Sequence, residues 1–440
     1  EIMTPEPNVE FGFYNSKGEL YKTGKTDKNG KLNINLVYGT YTVKQLTTSK
    51  DTTKVDDFTI KVYEMGDKIY YTISNAEITA KLKVVKIDKD TKQIIARKNI
   101  KFRIYNVDTK EYVKQTITYP TAKTIDVFET DSNGILITPY PLKAGTYYLE
   151  EVDQKIDGYL WNKNSVEFKI GEDSKLINDE EFGILFEVKF ENKAVKGSLE
   201  LTKTGEEVEL TDNGYIYTKI NLKGVKIGLY ARENIYDALG NLKYKKGTLV
   251  KELITDENGY VKVDDLYLGK YYLQEIETVN NHVLDKTKYN FNLEYKDQYT
   301  EVINYKTTLE NHLPKGTLEF TKSDYSNSKT LPNTLIEIYN ENDELVYSGR
   351  TDENGKIIID KLPVGKYYIL EKEAPEGYKI NEEKMYFEIT EDGQVVKCNM
   401  LDEAYEVPNT GLSNINYELI GSIVLIVSGL GLFLYGTKKR

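Results

Sequence analysis

The 440-residue chain holds one cysteine, Cys398, and two histidines, His282 and His312. A single thiol excludes intrachain disulfides. Two histidines without cysteine partners leave no metal-ligand spacing, and no phosphate-cradling glycine loop is present, so turnover catalysis and a bound metal or cofactor are not expected. A net charge of −11 argues against nucleic acid, which selects basic patches, and no basic amphipathic helix suggests a membrane-surface role. The chain opens EIMTPEPNVEF with neither an initiator methionine nor a basic-then-apolar leader, so the expectation is that its beginning has been trimmed.

What is present is repetition. Charged residues at 29 % and hydrophobic residues at 39 %, with 37 tyrosines, fit folded β-rich modules rather than disorder. The phrases GTYTVKQL (39–46), GTYYLEEVDQKIDGY (145–159), GKYYLQEIET (269–278) and GKYYILEKEAPEGY (365–378) share a frame. Six residues after the glycine stand Gln45, Glu151, Glu275 and Glu371. Side chains alternate along a strand, so Glu371 shares a face with Tyr367 and Ile369, and a carboxylate is expected in a core. Each copy also carries a TD-x-NG stretch, at 26–30, 130–134, 255–259 and 351–355, expected to close a tight hairpin. No full twelve-residue calcium loop with a terminal glutamate follows any of them. The reading is all-β: tandem sandwiches over 1–78 (truncated), 79–195, 196–313 and 314–404, with a C-terminal segment 405–440.

That segment contains an apolar run from Leu419 to about Gly436 and ends Lys438, Lys439, Arg440. About 18 residues at ~1.5 Å each give a transmembrane helix, about 417–436, just able to cross a bilayer core, with the basic end cytoplasmic. Alone, the run fits any C-terminal anchor. The preceding Val407, Pro408, Asn409, Thr410 and Gly411 resemble the LPxTG sorting signal of Gram-positive cell-wall proteins, with valine in place of leucine. The resemblance implies that a sortase cysteine attacks the Thr410 carbonyl, releases Gly411 onward and passes the acyl group to a peptidoglycan cross-bridge or pilin amine. A second match, LPNTL at 331–335, lacks the glycine and reads as a turn before a strand.

The KxD near the start of the repeats, YYILEKEAPEGY and the sorting signal together resemble the Cna B-type repeats of collagen adhesins and the SpaA-like pilin domains. That resemblance implies Ig-like, prealbumin-like sandwiches in which a first-strand lysine joins a last-strand asparagine or aspartate beside a catalytic acid. Alternation supplies the parts. Lys86 follows Leu82 and Val84, Lys203 follows Leu199 and Leu201, and Lys322 follows Leu318 and Phe320 on one face. Asn192, Asn311 and Asp402 end the inward sets of the last strands. The implied bonds are Lys86–Asn192 with Glu151, Lys203–Asn311 with Glu275, and Lys322–Asp402 with Glu371. Burial can lower an amine pKa and raise a carboxyl pKa by up to ~3–5 units, which would neutralise both partners for attack and proton shuttling. The plainer alternative is that these are ordinary ion pairs.

In the first repeat PNVEFGFYNSKGEL aligns with second strands elsewhere. Its lysine strand would precede residue 1, Gln45 cannot titrate, and Asn75 has no visible partner, so no bond is expected there. The resemblance implies a secreted protein covalently anchored to the cell wall, acting as a stalk, adhesin or accessory pilin with a possible host or extracellular-matrix ligand. Two alternatives stand beside it: the stalk of an enzyme whose catalytic domain lies upstream, and a backbone pilin. The latter would need a reactive lysine, but ITYPTAK places Lys123 out of register with a YPK motif.

Overall fold

The computed structural model describes residues 4–48, 51–66 and 68–405. The sorting motif 407–411, the apolar run and the basic tail lie outside them. Every regular element among the described residues is a strand, and no helix there is long and apolar enough to cross a membrane. Two compact units result. One holds the residues up to Lys196 with Tyr236–Lys243 and Glu294–Ile303, and the other holds the remainder.

The second repeat shows the plan. One sheet pairs Lys101–Asn106 with Phe128–Glu129 on one side and Gly145–Glu151 on the other, and Val166–Ile170 closes the edge. The facing sheet is centred on Thr79–Asp88, antiparallel to Ile135–Ile137 and parallel to Gly183–Asn192. Leu82, Val84, Phe102, Ile104, Tyr147, Leu149 and Phe190 fill the space between them. The fourth repeat copies this plan, with Lys315–Asp324 between Lys356–Pro363 and the parallel Val395–Asp402.

The alternation expected from the sequence is what fills these cores. In the fourth repeat Tyr367, Ile369 and Glu371 are all buried, facing Leu318 and Phe320 across the sandwich. A buried tyrosine needs a partner for its hydroxyl. In every repeat the first inward tyrosine of the glycine strand donates to the carbonyl four residues earlier: Tyr41 to Val37, Tyr147 to Lys143, Tyr271 to Tyr267 and Tyr367 to Pro363. The recurrent tyrosine therefore ties its strand to the connection that enters it.

The TD-x-NG stretches are not hairpins. Phe128–Glu129 before the second one belongs to one sheet and Ile135–Ile137 after it to the other, so the turn is a crossover between sheets. Its stability comes from the aspartate: Asp131 Oδ1 accepts the N–H groups of Asn133 and Ile135, each at 2.9 Å. The threonine before it reaches sideways, Thr130 donating to the Arg97 carbonyl at 2.7 Å, which pins the crossover to the chain entering the second strand.

Among the described residues the first repeat has one sheet, in the order Leu20–Lys25, Glu10–Tyr14, Gly39–Gln45, Phe58–Val62. Residues 31–37 and 68–76 form no strand.

Gly134 (φ +75°) and Gly259 (φ +66°) end two of the crossovers, where a Cβ would lie 2.0 Å from the Ile95 carbonyl oxygen and 2.3 Å from that of Lys203. Gly134→Ala should cost well beyond the ~1–2 kcal/mol of left-handed backbone strain alone, because backbone cannot yield as a side chain would. Thermal unfolding of the variant, against Gly247→Ala (φ +82°, open space), measures the excess.

Candidate functional site

At the heart of the second repeat Lys86 is fully buried at the end of its apolar set, and its Nζ lies against the rings of Phe190 and Phe102, 4.4 and 5.2 Å from their centroids. Parallel pairing sets Asn192 opposite Asp88, two residues beyond Lys86, so the lysine reaches along its strand to the asparagine. Glu151 arrives from the opposite sheet. Lys86 Nζ donates to Glu151 Oε1 at 2.7 Å and to Asn192 Oδ1, while Asn192 Nδ2 donates to Glu151 Oε2 at 3.0 Å and to the Leu160 carbonyl at 2.8 Å. Loss of solvent pushes the Lys86 amine down to about 8 against the opposing pull of Glu151.

The third repeat assembles the same three groups. Lys203 Nζ donates to Asn311 Oδ1 at 2.6 Å and lies 3.2 Å from Glu275 Oε2, and Asn311 Nδ2 donates to Glu275 Oε1 at 2.7 Å and Thr278 Oγ1 at 2.9 Å. Burial again lowers the lysine. In the fourth, Lys322 Nζ donates to Glu371 Oε2 at 3.0 Å and to Asp402. Burial drives the Asp402 carboxyl up to about 7 despite the facing Lys322, and Glu371 adds to the rise. All nine side chains are buried and each trio is in contact.

Two of the three glutamates are also fixed from their own side of the sandwich. Glu151 Oε2 accepts the Asn162 N–H at 3.0 Å and Glu371 Oε2 the Asn381 N–H at 2.7 Å. In the first repeat the counterpart Gln45 is buried and its Oε1 accepts the Val55 N–H at 3.0 Å. Among the described residues no lysine contacts its Nε2. Cys398 lies buried on the inward face of the last strand of the fourth repeat, its thiol pushed up to about 11 by desolvation.

Two further pairs escaped the sequence reading, which noted the KxD and GY phrases but gave them no role. Asp88 Oδ1 accepts the N–H groups of Asp90 and Thr91, and its Oδ2 takes the Tyr159 hydroxyl at 3.1 Å. Asp324 does the same with Ser326, Asn327 and, at 2.8 Å, Tyr378, and these donors, the Ser326 hydroxyl foremost, hold its carboxyl down to about 2. The loops so shaped return Lys89 N–H to the Asn192 carbonyl and Tyr325 N–H to that of Asp402, at 2.8 and 2.9 Å. In these two repeats the latch thus holds the residue that faces the lysine. In the third repeat Gly205 and His282 occupy this place, and the imidazole packs where a Gly205 Cβ would be, 2.6 Å from Nε2.

The sequence profile of the SpaA prealbumin-like fold domain matches residues 4–77, 80–181, 197–308 and 316–404. No curated protein matches the sequence. Among solved structures, the chain is similar to the Bacillus anthracis TIE protein, at 25 % identity over 89 % of this chain with a TM-score of 0.48, and it spans 66 % of that protein's length. It is also similar to BcpA, the major pilin subunit of Bacillus cereus (16 % identity, 74 % of this chain and 100 % of that one, TM-score 0.33). A streptococcal ancillary pilin is similar at 18 % identity, over 74 % of this chain and 99 % of that one, with a TM-score of 0.26.

Tyr159→Phe and Tyr378→Phe each remove a hydrogen bond to a buried carboxylate and should destabilise their repeats by about 1.5–3 kcal/mol. Urea denaturation followed by repeat-resolved hydrogen exchange is the measurement, with the exposed Tyr386→Phe as a control expected to change nothing.

Proposed function

We propose a function from the premise that this chain belongs to the SpaA family of prealbumin-like fold domains: it is a cell-wall-anchored surface stalk, an adhesin or accessory pilin, whose second to fourth repeats crosslink themselves. The observation that carries this reading is the threefold recurrence of a buried lysine, a buried acid and a buried asparagine or aspartate in contact.

The chemistry follows from the contacts. A proton passes from Lys86 Nζ to Glu151 across 2.7 Å, leaving a neutral amine and a neutral acid in a site where separated charges are costly. The amine attacks Asn192 Cγ while the Glu151 acid donates to Oδ1. The tetrahedral intermediate collapses with cleavage of the bond from Cγ to Nδ2: Glu151, within 3.2 Å of Nδ2 through either oxygen, relays the attacking amine's proton to it so that ammonia leaves, and takes back the Oδ1 proton as the carbonyl re-forms. Lys203, Glu275 and Asn311 repeat these steps. Lys322 attacks the Asp402 carboxyl instead, with Glu371 as relay, and water leaves. Fixed geometry of this kind is worth effective molarities of ~10⁵–10⁸ M, so no external enzyme is required. Each reaction occurs once per repeat, and the chain turns over no substrate.

The bonds would close loops between residues 106, 108 and 80 positions apart. On the chain-entropy treatment used for disulfides, each contributes ~4–5 kcal/mol. Mechanically they matter more, because the first and last strands of each repeat become one covalent path. Val407 to Gly411 are proposed as the sortase recognition and cleavage sequence, followed by a membrane-spanning segment that holds the precursor until transfer to a wall or pilin amine.

Single-molecule pulling on the chain tests the stalk. The crosslinked second repeat should not yield its internal length at any force below covalent rupture. Glu151→Ala should release a loop of 106 residues, roughly 350–380 Å of added extension at about 3.3–3.6 Å per residue. Wild-type extension equal to that of the variant would contradict the crosslink.

A further inference from the structure

Residues Glu294–Ile303 belong to the third repeat in sequence, running from its strand Tyr289–Leu293 into Val302–Glu310, but to the compact unit of the second repeat in space. There they lie against residues 153–161, the connection that leaves the strand of Glu151. Every residue of 159–162 serves the second repeat's trio. The Tyr159 hydroxyl donates to Asp88, the Leu160 carbonyl accepts Asn192 Nδ2 at 2.8 Å, and Trp161 Nε1 donates to the Glu151 carbonyl at 3.0 Å. Asn162 donates its N–H to Glu151 Oε2 at 3.0 Å and its Nδ2 to the Glu191 carbonyl at 2.8 Å.

Two successive peptide groups of this stretch are each held at both ends. In the peptide joining Tyr159 to Leu160, the carbonyl accepts the Tyr295 hydroxyl at 3.0 Å and the N–H donates to the Lys193 carbonyl at 2.9 Å. In the peptide joining Leu160 to Trp161, the N–H donates to the Gln298 carbonyl at 3.0 Å and the carbonyl accepts Asn192 Nδ2. A trans peptide group is planar, with its C=O and N–H pointing in opposite directions, so a partner at one end sets the aim of the other. Gln298 thereby aims the carbonyl that Asn192 uses. Its own side chain anchors it, Nε2 donating to Asp153 Oδ1 at 3.0 Å, and the Tyr299 hydroxyl donates to the other oxygen of Asp153.

That aim matters to the reaction. A half-turn of an asparagine side chain exchanges Oδ1 and Nδ2, and a carbonyl, which can only accept, selects the orientation with Nδ2 toward it. Oδ1 is then left to Lys86 Nζ and the leaving group sits beside Glu151. In the third repeat this place is filled from within, by the Thr278 hydroxyl 2.9 Å from Asn311 Nδ2. In the fourth the electrophile is Asp402, whose two oxygens are chemically alike.

We propose, resting on the crosslinking reading, that residues 294–303 complete the second repeat's site: Gln298 and Tyr295 are positioning residues that orient the Asn192 amide, and the Lys86–Asn192 bond forms at its full rate only when this segment of the third repeat is seated. The reaction is unchanged. Lys86 Nζ bonds to Asn192 Cγ, the bond from Cγ to Nδ2 breaks, and the departing nitrogen takes the attacking amine's proton and leaves as ammonia. The second repeat therefore closes its crosslink after the chain that follows it has folded onto it.

Cell-free synthesis of the whole chain, stopped in denaturant at intervals and mapped by mass, follows each bond through its branched peptide. Tyr295→Phe combined with Asp153→Ala removes the hydroxyl on the Tyr159 carbonyl and the anchor of Gln298 and Tyr299. The Lys86–Asn192 peptide should then accumulate about tenfold more slowly or worse. The Lys203–Asn311 and Lys322–Asp402 bonds should keep their wild-type rates, the first of them reporting that the third repeat has folded. Glu301→Gln, which loosens only the exposed Lys193–Glu301 pair, should change no rate. Hydrogen exchange with Glu151→Ala added, which blocks the second repeat's bond, separates positioning from folding: the amides of Lys101–Asn106 and Gly145–Glu151 should be protected equally with and without the double substitution. An unchanged Lys86–Asn192 rate beside intact third and fourth bonds would overturn the positioning role alone. Slowing matched by lost protection would overturn it too, because the segment would then only hold the fold. A wild-type chain that forms none of the three bonds would remove the crosslinking reading and this role together.

Discussion

A lysine at the centre of a β-sandwich is the constraint from which this structure is organised. An ammonium group stripped of water is costly unless it is paired, and the effective penalty for one ion is several kcal/mol. Lys86, Lys203 and Lys322 each meet that cost with a carboxylate from the opposite sheet and an oxygen from the neighbouring strand. Burial, working against that pairing, lowers the Lys86 amine and in the fourth repeat raises the Asp402 acid, which moves both toward the neutral forms that can react.

Topology makes that interaction useful. The lysine strand and the last strand run parallel side by side, so the residue two positions past the lysine's partner lies within reach of its Nζ. In the second and fourth repeats the glutamate is fixed independently, by an N–H eleven or ten residues further along its own connection. Three groups from three strands and two sheets thus meet without any of them leaving its ladder. Beyond the trio, Asp88 with Tyr159 and Asp324 with Tyr378 shape the loop that grips the carbonyl of the electrophilic residue.

The trio was legible because two periodicities coincide. Period-two alternation put Lys86 on the face of Leu82 and Val84, and the constant six-residue spacing from glycine put the glutamates on the face of the buried tyrosines. The crossovers were misread as hairpins, since Asx-Gly chemistry reports a reversal of direction but not which sheet receives the next strand. The aspartate–tyrosine latches were invisible for a related reason: Asp88 and Tyr159 are 71 residues apart and share no periodicity, so only the fold brings them together. His282 over Gly205 in the third repeat shows the same place filled by different chemistry, which no repeat pattern would have matched.

The intact mass of the denatured chain tests the central claim most directly. The account predicts a mass two ammonias and one water below that calculated from the sequence. Glu151→Ala and Glu275→Ala should each restore one ammonia, and Glu371→Ala should restore the water. A wild-type mass equal to the calculated one would contradict the account and leave the three buried lysines as ion pairs.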